Sequence, residues 1–104
     1  DEVRRGLCRD LQFDEASRKE NVRRVAEVAR LLADAGLIIL VALVSPLRQH
    51  RALARRRLPI GSFFEVYVDA SLSECERRDP KGLYRLARAG RLANFTGIAS
   101  PYEP

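Results

Sequence analysis

Apolar positions in the first third of the chain recur at spacings of three and four, the period of a helix with one buried face. The stripe follows Ser17-x-x-Glu20, a capping box in which the serine hydroxyl accepts from the N–H three residues on and the glutamate reaches back. Gly36 supplies the left-handed residue that commonly ends a helix. The pattern predicts a helix of about five turns. Its apolar stripe consists of Val22, Val25, Ala29 and Leu32.

A continuous apolar run at residues 37–44 follows this helix, without alternation of polar and apolar positions. Such runs are typical of parallel strands that are covered on both faces. Ser45 and Pro46 then supply an N-cap hydroxyl and a first-turn proline, so we expect a basic helix that runs to about Arg57. Residues 63–68 are predicted to form a second strand, joined to the first by a right-handed crossover.

Two more helices are predicted after the second strand, one capped by Ser71 and one opening at Asp79-Pro80. Gly90 is expected to end the last helix. The order strand, helix, strand, helix, helix is typical of α/β domains. Because two strands alone make a poor sheet, we expect neighbouring strands to come from outside these 104 residues.

Composition narrows the range of functions. The net charge is +5 and 17 of the 19 basic residues are arginines, which favours an anionic partner. A nucleic-acid surface would interleave basic residues with stacking aromatics, whereas the aromatics here are scattered, so we do not expect nucleic acid as the partner. No apolar run approaches the roughly 18 residues of a membrane span and no signal segment opens the chain, which predicts a soluble cytoplasmic protein with no membrane partner. Cys8 and Cys75 are too few and too far apart for a metal site or a disulfide framework.

Several short motifs identify the chain further. Near its end, Asp-Pro-Lys-Gly-Leu-Tyr occupies residues 79–84 and Asn-Phe-Thr-Gly-Ile occupies residues 94–98. Val-Ser-Pro-Leu-Arg occupies residues 44–48. The chain opens with Asp-Glu-Val-Arg-Arg-Gly-Leu, and the motif continues with Phe13, Arg18 and residues 20–24. In this order, the motifs resemble the adenylylsulfate kinase (APS kinase) family over the whole chain, including the kinase domain of bifunctional sulfate-activating enzymes (PAPS synthetases).

The glycine-rich phosphate loop G-x-x-x-x-G-K-[ST], which holds nucleotide phosphates, does not occur in the chain. The family resemblance implies that this loop lies upstream of Asp1. We therefore expect an α/β fold with a partial P-loop kinase-like parallel sheet flanked by helices, from which the phosphate-loop portion is absent. Residues 1–104 would form the acceptor-substrate and lid portion of a single adenylylsulfate kinase domain, and this segment alone should be inactive.

The resemblance also implies a reaction, in which the γ-phosphate of ATP is transferred to the 3′-hydroxyl of adenylylsulfate to give 3′-phosphoadenylyl sulfate. It implies ATP as donor, Mg²⁺ as cofactor, a homo-oligomer and a fused or associated ATP sulfurylase. An alternative is a non-catalytic module that senses these nucleotides and regulates an attached sulfurylase. An intact phosphate loop upstream would favour the enzyme, and a degraded one would favour the sensor. A basic nucleic-acid module is a third interpretation.

Open parallel sheets bind ligands at the carboxyl ends of their strands, which nominates Ser45 and Asp69, and also Asp1 if a strand precedes it. The resemblance implies catalytic roles for Asp1, Ser45 and Lys81, with no residue assigned to a metal. Asp1 would lie near the accepting hydroxyl, and Lys81 would close over the substrate. The acceptor-binding residues that the resemblance implies are Asp1, Arg4, Phe13, Arg18, Asn21, Val44, Ser45, Lys81, Asn94 and Phe95.

Several candidates also have a purely structural interpretation. Ser45 either caps a helix or contacts the substrate through its turn. Phe13 and Phe95 lie in irregular segments. They either pack their loops against the core or, as the resemblance implies, stack on the two faces of an adenine. Arg18 is either a solvated first-turn residue or an anion ligand, and Lys81 is either a surface lysine or a substrate contact. The chain departs from the common family pattern at Glu2, Gln12, Leu47, Ala93 and Ala99.

Overall fold

The computed structural model describes residues 2–104, which form two compact units. The first unit runs to Phe64 and the second from Glu65 to Pro104. Helices of the first unit are α1 (Glu2–Arg5), α2 (Glu15–Asp34) and α3 (Arg48–Arg55). Helices of the second unit are α4 (Leu72–Arg78) and α5 (Leu83–Arg88).

The long helix α2 is present, but it begins before the predicted capping box. Asp14 is its N-cap, and the Asp14 carboxylate accepts a hydrogen bond from the backbone N–H of Ser17 at 3.0 Å. The prediction that Ser17 caps the helix is therefore wrong, because the aspartate three residues earlier takes that role. The predicted end is confirmed, since Gly36 has φ +87° directly after the last turn.

The core of the first unit lies between α2 and α3, which pack against each other. Its fully buried apolar residues include Cys8, Val22 and Ala26, and the polar side chains of Asn21 and His50 are buried with them. Helix α2 also contacts the turn after α1, because Arg24 donates to the carbonyl of Leu7 and to the carboxylate of Asp10. The first unit therefore depends on α2 as its central element.

The predicted sheet is not confirmed. Residues 37–46 and 62–71 have no assigned secondary structure, and within the described chain the bridging recorded is one isolated parallel bridge between Thr96 and Ser100. Ile38 and Leu40 are each 95% exposed, and Phe64 is 84% exposed, so the expected burial on both faces is not observed. A strand is stable only when a neighbour satisfies its N–H and C=O groups, and these segments have no such neighbour within residues 2–104.

The start of α3 also differs from the prediction. Leu47 is the N-cap, without a side-chain hydrogen bond to the helix, and α3 ends at Arg55. Ser45 therefore does not cap this helix, although Pro46 is buried at the turn before it. The structure rejects the interpretation of Ser45 as an N-cap and leaves its hydroxyl outside the helix.

In the second unit one predicted cap is confirmed and one helix start is corrected. The Ser71 hydroxyl accepts from the N–H of Glu74 at 3.3 Å and caps α4. Helix α5 begins at Leu83, not at Asp79-Pro80, because Gly82 with φ +67° turns the chain before the helix. Gly90, with φ +71°, follows its last turn as predicted.

Candidate functional site

Phe13 lies in an irregular loop, as predicted, and its side chain is 64% exposed. The guanidinium carbon of Arg4 lies 4.8 Å from the centre of the Phe13 ring, in cation–π geometry. Arg4 Nη1 also donates to the carbonyl oxygens of Leu11 (3.4 Å) and Gln12 (3.0 Å). One arginine thus holds the loop by its backbone and supports the ring that the loop presents.

Arg18 and Asn21 lie three residues apart in the first half of α2, which places them on one helix face. The Asn21 side chain is 4% exposed, and its Oδ1 has no hydrogen-bond partner within the described residues. A buried carbonyl oxygen without a partner costs about 1–3 kcal/mol. The Asn21 side chain is therefore a buried acceptor on this face of α2.

An arginine network ties the N-terminal segment to α2. Arg24 donates hydrogen bonds to both carboxylate oxygens of Asp10, at 2.7 and 2.8 Å, and to the carbonyl of Leu7 at 2.9 Å. Glu20 accepts from Arg23 at 2.7 Å and from Arg24 at 2.9 Å. Hydrogen bonds from Arg23 and Arg24 lower the pKa of Glu20 from 4.5 to about 2. This network holds the segment that carries Arg4 and Phe13.

Glu20 was predicted to form half of a capping box, and its bonds to the two arginines were not predicted. Glu20 does not reach back to a helix N-cap, because its two oxygens are occupied by arginines three and four residues ahead. That spacing is the usual one for ion pairs on a helix, so these two pairs could have been predicted from the sequence. The longer-range partner Asp10 had no comparable signal in the sequence.

The turn at residues 44–48 is held by its backbone. The carbonyl of Ser45 accepts from Arg51 Nη1 at 2.8 Å, and Pro46 is buried. Ser45 is half-buried, while Val44 is 70% exposed. The turn is therefore anchored to α3 and presents Val44 at its surface.

Phe95, in the second unit, lies in an irregular segment as predicted and is half-buried. Its ring centre is 4.9 Å from that of Tyr84, and the two ring planes meet at 81°. The backbone carbonyl of Phe95 accepts from the N–H groups of Ile98, Ala99 and Ser100. The preceding residue, Asn94, has φ +56°, which asparagine tolerates better than most residues.

Lys81 lies in the turn before α5 and not in the first turn of a helix, which corrects its predicted placement. The Asp79 carboxylate closes this turn, since it accepts from the N–H groups of Tyr84 (3.0 Å) and Arg85 (3.1 Å). The Gly82 N–H donates to the Asp79 carbonyl at 3.0 Å. Lys81 is consequently exposed on a tight, internally bonded turn.

The candidate residues divide between the two units. In the first unit, the structure brings Arg4 to Phe13 and places Arg18 and Asn21 on one face. In the second unit, Asn94 and Phe95 are adjacent, and the Lys81 turn precedes the helix that carries Tyr84. The candidate Asp1 lies outside the described residues.

Residues 2–104 contain neither a metal-binding cluster nor a membrane-spanning helix. In that part of the chain, no three His, Cys, Asp or Glu side chains lie close enough together to hold a metal ion. Within the same range, no helix combines the length and the apolar content that a bilayer crossing requires.

Comparisons with known proteins agree with the motifs. The family model described as adenylylsulphate kinase matches residues 1–104. The adenylyl-sulfate kinase of Aeromonas hydrophila subsp. hydrophila is 62% identical over 103 residues, which are 99% of this chain and 52% of that protein. The bifunctional enzyme NodQ of Rhizobium sp. (strain BR816) is 61% identical over 103 residues, 16% of its length. The chain thus spans about half the length of the adenylyl-sulfate kinase relative.

Solved structures give a consistent result. The Mycobacterium tuberculosis APS kinase, solved in complex with AMPPNP and APS, matches with a TM-score of 0.94 and 53% identity. The match covers 99% of this chain and 61% of that chain. It supports a kinase-like α/β fold, whereas the predicted arrangement of a partial sheet has no ladder to support it within residues 2–104.

Proposed function

This chain belongs to the adenylylsulphate kinase family, as its motifs predict, and on that premise we propose that the full-length protein phosphorylates adenylylsulfate. The γ-phosphate of ATP is transferred to the 3′-hydroxyl, and the product is 3′-phosphoadenylyl sulfate. The observation that carries this proposal is the similarity to the M. tuberculosis enzyme, whose structure contains an ATP analogue and APS. The activity belongs to the longer protein, since this chain covers about half of its relative.

Phe13 and Phe95 bind the adenine of the acceptor in this proposal. Both rings lie in irregular segments, and Phe13 presents most of its surface to solvent. Aromatic stacking on a base is worth about 1–3 kcal/mol and requires no hydrogen bonds. The cation–π support from Arg4 favours a fixed Phe13 ring over a loop residue that merely covers the core.

Arg18 and Asn21 bind the phosphosulfate and ribose of the acceptor. The unpaired Oδ1 of Asn21 supports this assignment, since a ribose hydroxyl is a donor that would satisfy it. Arg18 lies near the N-terminus of a 20-residue helix, where the helix dipole adds to its charge and favours an anion. Arg4 is a third acceptor-binding residue of the first unit, and it also holds the loop that presents Phe13.

The turn at residues 44–48 supplies Val44 and Ser45 as acceptor contacts. Because the Ser45 carbonyl is already bonded to Arg51, the remaining groups of the turn are those available to substrate. Lys81 contacts the acceptor from its exposed turn, and Asn94 acts next to Phe95. Asp1 orients the attacking 3′-hydroxyl. Transfer is direct and in line, with no covalent phosphoserine.

ATP, Mg²⁺ and further partners belong to the same proposal. No metal-binding cluster of His, Cys, Asp or Glu occurs among residues 2–104, and none of these residues is proposed as a ligand of Mg²⁺. The similarity to a bifunctional enzyme supports fusion to a second activity, and an ATP sulfurylase, fused or associated, is that activity in this proposal. A homo-oligomer and a cytoplasmic location complete the proposal.

The test is turnover by the full-length protein with ATP and adenylylsulfate, measured as formation of 3′-phosphoadenylyl sulfate. AMP, which lacks the sulfate, is the control acceptor. The 104-residue chain alone is expected to be inactive, because it lacks the loop that holds the donor phosphates. Tight binding of both nucleotides without turnover would favour the regulatory module instead.

A further inference from the structure

Tyr84 is fixed through its backbone. Its N–H donates to Asp79 Oδ1 at 3.0 Å, and the other carboxylate oxygen of Asp79 accepts from Arg85. The left-handed Gly82 immediately before α5 sets the direction in which the helix leaves the turn. The Cα of Tyr84 is therefore held at the start of a capped helix, and its side chain leaves from a defined point.

Phe95 is also fixed through its backbone. Three N–H groups, from Ile98, Ala99 and Ser100, converge on its carbonyl at 2.9 to 3.2 Å. What remains free is the orientation of the Phe95 ring about its side-chain torsions. Tyr84 limits that orientation, because the two ring centres are 4.9 Å apart with planes at 81°. This is the edge-to-face arrangement that aromatic pairs favour.

We propose that Tyr84 is a positioning residue that fixes the ring plane of Phe95 and thereby sets the affinity for the adenine of the acceptor. The inference rests on the proposed function and adds a residue to it. Tyr84 touches no part of the substrate in this scheme. It acts by limiting the orientations of the ring that stacks, so that less orientational freedom is lost when the base binds.

The second unit contains a matched control. Tyr67 and Tyr102 form another aromatic pair, with ring centres 5.7 Å apart and planes at 28°. Tyr102→Leu removes a comparable aromatic contact from the same unit without touching Phe95. It separates a general loss of packing from a specific effect on the ring of Phe95.

The first experiment measures steady-state kinetics of the full-length protein. Tyr84→Leu is expected to raise KM for adenylylsulfate about 2- to 10-fold, the range for loss of an aromatic pair, with KM for ATP unchanged. Tyr84→Phe keeps the ring and is expected to restore the wild-type KM. Tyr102→Leu should leave both KM values unchanged. An unchanged KM for adenylylsulfate in Tyr84→Leu, or an equal rise for ATP, would overturn the proposal.

The second experiment reads the ring directly and does not depend on turnover. A fluorinated phenylalanine placed at position 95 reports its surroundings through its ¹⁹F resonance. Tyr84→Leu should shift or broaden this resonance, and Tyr84→Phe and Tyr102→Leu should not. A resonance that does not respond to Tyr84→Leu would show that Tyr84 does not position the ring. If the wild-type protein neither binds nor phosphorylates adenylylsulfate, the proposed function fails, and these spectra still decide whether Tyr84 orients Phe95.

Discussion

The two units present their candidate phenylalanines in opposite ways. Phe13 is largely exposed and is supported by the charged guanidinium of Arg4, whereas Phe95 is half-buried and is supported by the ring of Tyr84. A cation–π contact is worth about 0.5–1 kcal/mol at an exposed site, and an aromatic pair is worth about 0.5–1.5 kcal/mol beyond the area that it buries. The comparison shows that an exposed ring and a half-buried ring are held by different kinds of contact, a cation in one unit and a second ring in the other.

The two segments also differ in the groups that bind their backbones. The loop before Phe13 is held by a side chain from another segment, since Arg4 donates to the carbonyls of Leu11 and Gln12. The segment at Phe95 is held by its own backbone, since N–H groups three to five residues later donate to the Phe95 carbonyl. Removal of one side chain should therefore loosen the first segment, whereas the second should depend on side chains only for the orientation of its ring.

The largest expected effect comes from removal of the rings themselves. Phe13→Ala and Phe95→Ala should each weaken binding of adenylylsulfate by about 1–3 kcal/mol, which is roughly 5- to 150-fold, because each loses stacking on the adenine. ATP affinity should remain nearly unchanged. Calorimetric titration of the full-length protein with each nucleotide is the measurement. Equal losses for the two nucleotides would return both rings to a packing role, and the two effects need not add.

The next effect should come from Arg4 and should distinguish the two kinds of support. Arg4→Met removes the cation–π contact and both carbonyl contacts, so we expect acceptor affinity to fall by about 0.5–2 kcal/mol. Arg4→Lys keeps the charge but not the planar fork of donors, and is expected to recover only part of that loss. Titration with adenylylsulfate measures both variants. Full recovery with lysine would mean that charge alone matters at this position.

A third variant tests the internal support of the second unit. Asp79→Ala removes the carboxylate that caps the start of α5, and loss of such a cap costs about 0.5–2 kcal/mol of stability. Thermal unfolding of the full-length protein should show a lower Tm. Asp69→Ala is a suitable control, because the structure records no helix cap at Asp69. An unchanged Tm for Asp79→Ala would mean that Gly82 alone sets this turn.

The smallest effect concerns pH and uses a charge pattern that both units share. Glu20 pairs with Arg23 and Arg24, and Glu74 pairs with Arg77 and Arg78, each at spacings of three and four. These arginines lower the pKa of both carboxyls, that of Glu20 from 4.5 to about 2. Because the folded-state pKa is depressed, the stabilisation is present above pH 4.5 and is lost as the pH falls towards 2.

The pKa shift is large at Glu20, where the pKa falls to about 2. Glu20→Gln should therefore flatten the acid limb of the stability curve more than Glu74→Gln. Denaturant unfolding between pH 2 and pH 6 is the measurement. Identical curves for the two variants would show that the two carboxyls contribute equally to stability at low pH. High salt should reduce both effects, because these pairs are at least partly exposed to solvent.

Local signals predicted the helices well. The period of α2, its glycine stop, the Ser71 cap and the end of α5 are all determined by neighbouring residues, so the sequence suffices to identify them. Competition between local signals was harder to predict. Asp14 caps α2 in place of Ser17, and Leu47 precedes α3 where a serine was expected to act as the cap.

The remaining features depend on contacts that no periodicity records. The sheet requires strand neighbours, which residues 37–44 and 63–68 lack within the described chain. The candidate phenylalanines were identified from motifs, but their supporting residues Arg4 and Tyr84 depend on how separate segments meet. Roles in the reaction remain predictions, because a family motif names a residue without giving its geometry.

Each unit also contains one free cysteine, and the two differ in access. Cys8 is fully buried in the first unit, and Cys75 is half-buried in the second. A thiol reagent can reach Cys8 only when the first unit opens, whereas Cys75 is reached through smaller fluctuations. The labelling rate of each thiol therefore reports how often the structure around it opens. A variant that loosens the first unit should accelerate labelling of Cys8 without changing the rate at Cys75.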